Sequence, residues 1–166
     1  MTTATNGRRA RLVRALLCGL LLWTCGVAPA RALPSTFNST IGDALLCLDA
    51  LDPGYFYTYL SQEFGQPYQH QGGAWWFRTP KTKLWNVPIT SILVSDGNSS
   101  LFFIAAITDL STDKLARAIS DNAGILFATG DGSAWPVRVS NTGSMIAWAG
   151  NGSKIYCAKD RRLFRQ

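Results

Sequence analysis

Residues Trp85–Thr108 read WNVPITSILVSDGNSSLFFIAAIT, and this stretch decides the fold. Trp85–Ser95 is rich in Val, Ile and Thr, whose branched β-carbons suit a pleated strand. Asp96-Gly97 is a turn signal, and Leu101–Thr108 follows as an almost continuous apolar run fit for a central strand. Pro88 has no N–H to give to a ladder, so it marks an edge or a bulge.

Upstream, Ala74–Arg78 (AWWFR) is a short aromatic strand, and Gln66–Gly73 before it is a polar loop ending in glycine. Two helices precede that loop. Ser39 or Thr40 caps a short one running through Ala50, with Ile41, Ala44, Leu45 and Leu48 at helical spacing and Cys47 inside it. Asp52 is a good N-cap and Pro53 suits the first helical position, so a second helix runs to Phe64 and stops at Gly65. Its stripe of Phe56, Tyr57, Leu60 and Phe64 faces the core.

Downstream, Ser111 or Thr112 caps a helix that turns Leu115, Ala118 and Ile119 inward and ends near Gly124. The remainder is hairpin-like: Ile125–Thr129, Trp135–Ser140, Ser144–Ala149 and Lys154–Lys159, separated by Gly/Asn/Asp turns. Three of the four count as strands. The predicted order is αα-βββ-α-βββ, an α+β fold with an antiparallel sheet and helices packed on one face.

The N-terminus reads as a cleavable signal peptide, Met1–Ala32. Arg8, Arg9, Arg11 and Arg14 form a positive region, Leu12–Val27 an apolar one, and Ala30-Arg31-Ala32 a small-x-small cleavage site. The apolar run is shorter than the ~20 residues a membrane span needs, so no transmembrane span is expected in the mature chain. Five of the sixteen Lys/Arg residues lie in the leader. Eleven bases against ten acids remain, and a net charge of +6 becomes about +1. That removes the electrostatic case for nucleic acid. The expectation is export, to the periplasm or beyond, of one α+β domain spanning 33–158, with a basic C-terminal tail at 159–166.

Cys18 and Cys25 leave with the leader, so Cys47 and Cys157 remain. In an oxidising compartment they most simply form a disulfide bond; two buried free thiols are the alternative. Catalytic equipment is sparse. His70 is the single histidine and Glu63 the single glutamate, so acid–base schemes have little to draw on. No G-x-S-x-G turn is present, no His/Cys/Asp/Glu cluster suggests a metal, and Gly150–Lys154 reads as a hairpin turn instead of a phosphate loop. No catalytic residue, cofactor or metal is assigned; the alternative is a small exported hydrolase using His70.

A surface is the better candidate. In WWFRTPKTKLW, aromatic and basic residues interleave, and strand alternation sends Trp75 and Phe77 to one face, Trp76 and Arg78 to the other. A Trp beside a guanidinium can stack on a sugar or hold an anion. The candidate binding residues are Trp76, Arg78, Lys81, Lys83 and Trp85, with Tyr68 and His70 on the neighbouring loop.

Three stretches carry resemblances. Tyr59–Phe77 (YLSQEFGQPYQHQGGAWWF) resembles helix–FG-x-P–strand segments of small periplasmic lipoprotein and inhibitor domains. Leu101–Ala149 is similar in rhythm to the sheet–helix–sheet core of secretion chaperones. LCLDALDPGYFYTYLSQEFG and QGGAWWF look like a family of short uncharacterised exported proteins of cyanobacterial type, which implies export and brings no activity. The expected function is a non-catalytic binding or assembly module of the periplasm or cell envelope. Its partner would be a protein, a glycan or an anionic envelope component. A chaperone- or inhibitor-like role is a further alternative, favoured if the sheet exposes an apolar groove.

Overall fold

The computed structural model describes residues 36–130 and 132–164. The expected leader lies outside them, as do Asp131 of the TGDGS turn and Arg165 of the basic end. A π-helical turn, Asn38–Gly42, runs into the short helix α1 (Asp43–Leu45); α2 is Pro53–Phe64 and α3 is Thr112–Ala123. Among the described residues eight strands follow: β1 (Gln69–Gln71), β2 (Ala74–Leu84), β3 (Val87–Ser95), β4 (Leu101–Thr108), β5 (Phe127–Thr129), β6 (Arg138–Ser140), β7 (Met145–Ala149) and β8 (Gly152–Asp160). They form one antiparallel sheet in the order β1-β2-β3-β4-β8-β7-β6-β5. The one non-sequential neighbour is β8 beside β4, and α3 falls in the connection that makes it so.

The expected α+β class holds, and the helix–strand order is close to that expected. Two turns account for part of the difference. Gly72 and Gly73, at φ 65° and 74°, join Gln71 to Ala74, so part of the expected Gln66–Gly73 loop is a hairpin strand. Trp85 and Asn86, at φ 52° and 63°, join Leu84 to Val87, so the strand expected from Trp85 begins two residues later. Positive φ at both central residues matches the right-handed twist of the flanking strands, as in a type I′ turn. Glycine adopts it freely; Trp85 does so at a cost offset by where its indole goes.

The helix signals fare unevenly. The Asp52 side chain accepts the Tyr55 N–H at 3.0 Å, capping α2 as expected. Gly124 in the left-handed region closes α3. The first helix, expected through Ala50, stops at Leu45, and Cys47 sits beyond it at φ 57°.

The three described helices lie on one face of the sheet, where their buried residues join one core. Cross-strand register aligns two rows there, Trp75–Val94–Ile104–Cys157 and Phe77–Ile92–Ala106–Ile155–Ile146. Against them α2 buries Phe56 and Leu60 and lays Tyr57 on Trp75 and Phe77, while α3 buries Leu115 and Ile119. Each such side chain contributes roughly 1.5–3 kcal/mol on burial. Cys47 and Cys157 form a disulfide across a sequence separation of 110, with Cα atoms 5.3 Å apart, tying the segment after α1 to β8. Lys159 and Asp160, expected to begin a tail, are the last residues of β8, paired with Phe102 and Leu101. A 3-10 turn, Arg161–Phe164, follows. Among the described residues, no helix is long and apolar enough to cross a membrane.

Candidate functional site

The site begins with an interruption in β2. Its pairing with β3 shifts between Arg78 and Thr82, and Lys81 takes φ 60° within the bulge. The Thr79 hydroxyl donates to the Ile89 carbonyl at 2.9 Å, supplying a link where the ladder breaks. On its outer side β2 pairs with β1 only over Ala74–Trp76. From Phe77 onward it is an edge strand, which is why Pro80 is tolerated.

This geometry gathers four of the expected residues. Tyr68, Arg78, Lys81 and Lys83 line one open cleft of about 670 Å³, with Thr90 and Ser91 of β3 as its hydroxyl-bearing wall. The Arg78 guanidinium lies 4.5 Å from the centre of the Tyr68 ring, and the Tyr68 hydroxyl reaches the Ser91 hydroxyl at 3.4 Å. Those contacts fix the angle of the guanidinium. No Asp or Glu lines the cleft, and none of its three cations has an ion-pair partner among the described residues. It is an electropositive surface able to accept an anion.

Trp76, His70 and Trp85 lie elsewhere. Trp76 shares Arg78's side of the sheet, as alternation required, but is half-buried, donates its indole N–H to the Gln71 carbonyl at 3.2 Å and does not line the cleft. Trp85 is only 9 % exposed, and its indole covers the Cα of Gly42, where an added Cβ would lie 3.5 Å from the ring. Placing it on a binding surface is therefore corrected: the hairpin turn throws the ring inward, onto the first helical segment.

His70 belongs to the helix-bearing face. Its ring stacks on Trp75 at 3.5 Å, and its Nε2 lies 2.6 Å from Asp96 Oδ2. Asp96, buried at the end of β3, also accepts the N–H groups of Asn98 and Ser99 through Oδ1. The hydrogen bond from His70, reinforced by those backbone N–H groups, holds the Asp96 carboxyl below its ordinary value despite burial. The pair resembles the acid–imidazole half of a hydrolytic triad. Among the described residues, however, the imidazole's side-chain hydrogen bond goes to Asp96 and not to a serine hydroxyl. It latches the β1–β2 hairpin to the β3–β4 turn. The sequence marks Asp96 as a turn residue, whereas its partner is a lone histidine two residues before a Gly-Gly turn.

Lys81, Lys83, Pro80 and the bulge have a second consequence. Charges, prolines and bulges are how exposed strand edges avoid pairing with other chains. Arg78 stacked on Tyr68 and the hydroxyl wall of β3 are not among those devices. No protein-family model, curated protein or solved structure matches this chain.

Proposed function

We propose that this protein is an exported, non-catalytic binding module that holds an anionic group of an envelope component in the β2–β3 cleft. In this reading Arg78 gives a planar, directional contact, held in place by Tyr68. Lys81 and Lys83 add point charges from the bulge and the edge. Thr90 and Ser91 supply neutral hydrogen bonds. One observation carries the reading: three cations and an aromatic ring converge on a cleft lined by no carboxylate. Export rests on the leader and on the Cys47–Cys157 bridge, which suits an oxidising compartment. The test is retention of the full chain on immobilised polygalacturonate, compared with an Arg78→Ala/Lys81→Ala/Lys83→Ala variant. Equal retention of the two would refute the proposal.

A second reading, a chaperone- or inhibitor-like protein, is favoured by the face of the sheet away from the helices. Register aligns Trp76, Leu93, Ala105, Tyr156 and Met145 in one apolar row there, with Ala105 buried and the other four half-buried, and the described helices pack on the opposite side. Suppression of aggregation of an unfolded client by the same triple variant, undiminished from wild type, would favour this reading over the first.

A further inference from the structure

Far from that cleft in sheet order, two tryptophans stand in water side by side. Trp135 is 64 % exposed and Trp148 49 %, with ring centroids 5.0 Å apart and planes inclined by 35°. Trp148 lies two residues beyond the core residue Ile146 on β7, so it shares the helix-bearing face but overshoots the core. Trp135 comes from the connection between β5 and β6. Neither ring belongs to the core, and leaving apolar surface in water forfeits hydrophobic stabilisation. Paired exposed indoles are the kind of patch that marks a binding site.

The surroundings specify the ligand. The rings border a hollow of about 360 Å³ whose wall includes Thr112, Asp113, Arg138 and Asn151. No Leu, Ile, Val, Met or Phe lines it, unlike a pocket built for an apolar protein anchor. Arg138 Nε donates to Asp113 Oδ1 at 2.8 Å and Nη2 donates to the same oxygen, so the two charges offset each other. The Asp113 side chain remains 56 % exposed, and a carboxylate has about four acceptor positions, so capacity remains for further donors. A flat apolar platform beside neutral-paired donors and acceptors fits a molecule with one C–H face and a rim of hydroxyls. We infer that Trp135 and Trp148 form a binding site for a pyranose residue of an uncharged glycan. The sugar's C–H face stacks on the indoles, while Asp113, Thr112 and Asn151 take its hydroxyls.

The experiment is calorimetric titration of the full chain with the neutral hexasaccharides of cellulose, chitin and mannan at up to millimolar concentration. At least one should bind, and Trp135→Ala and Trp148→Ala should each weaken it by about tenfold or more without lowering the melting temperature. The Arg78→Ala/Lys81→Ala variant should bind it like wild type, which separates this site from the anionic cleft. The inference is overturned if none of the three sugars binds, or if the Trp135→Ala/Trp148→Ala double variant binds equally well. It is also overturned if the double variant instead abolishes self-association seen by ultracentrifugation, which would make the patch a contact between copies.

Discussion

Nε2 of His70 lies 2.6 Å from Oδ2 of Asp96 across a sequence gap of 26 residues, joining the first hairpin of the sheet to the turn after β3. The lone histidine thus has a structural task, and the Asp96 carboxyl it meets makes stability depend on pH. The Asp96 carboxyl binds its proton less readily folded than unfolded, because His70 and the backbone N–H groups hold its pKa below 3.8. Its contribution is therefore full above the ordinary carboxylate range and is lost as pH falls through the lowered value. His70→Ala should cost about 1–3 kcal/mol near neutrality and move the onset of acid unfolding to higher pH. Acid denaturation followed by circular dichroism checks this, and an unchanged onset would remove the latch.

Reduction of the Cys47–Cys157 bridge should lower stability by up to roughly 4–5 kcal/mol, because the bond closes a loop spanning 110 positions of the unfolded chain. Urea unfolding with and without reductant measures the difference. Two titratable thiols in the native, unreduced protein would contradict the pairing.

Gly152→Ala should be among the most damaging single changes. A Cβ there would lie 2.0 Å from the Thr108 carbonyl oxygen and 2.8 Å from the Asp109 Cα, and backbone cannot swing aside as a side-chain tip can. A loss of about 3 kcal/mol or more is expected, read from the denaturation midpoint, with the β4–β8 junction loosened. Gly132→Ala, where nothing lies within 4 Å of the added carbon, is the control.

Trp85→Ala should cost about 3–5 kcal/mol, as expected for a large buried aromatic, whereas Lys83→Ala should leave the melting temperature unchanged. The contrast tests whether Trp85 belongs to the core and Lys83 to the cleft. A Trp85→Ala variant as stable as wild type would return that ring to the surface.

Sequence reading recovered the elements whose signals are local. Asp52-Pro53 capped a helix, Gly124 ended one, and the period of two sent Trp75 and Phe77 inward with Trp76 opposite. What it missed depended on contacts distant in sequence. The strand predicted over Ala74–Arg78 stops short of TPKTK, which is polar and contains proline, yet β2 continues through it as an edge strand around a bulge. Trp85 and Arg78 look alike in a basic-aromatic run; only the Trp85-Asn86 turn, which points the indole at Gly42, separates them. The site was half legible for the same reason. Tyr68, Arg78, Lys81 and Lys83 lie close together in sequence and meet in the cleft, whereas Asp96 reaches His70 from another strand end.

The central claim is tested most directly by calorimetric titration of the full chain with polygalacturonate at low and high salt. The account predicts saturable binding that weakens as salt screens the cleft. It also predicts at least a tenfold loss (about 1.4 kcal/mol) in the Arg78→Ala/Lys81→Ala/Lys83→Ala variant, at an unchanged melting temperature. Binding by that variant equal to wild type, or no binding by wild type combined with aggregation of the variant, would contradict it; the latter would show that these cations only guard the edge of β2.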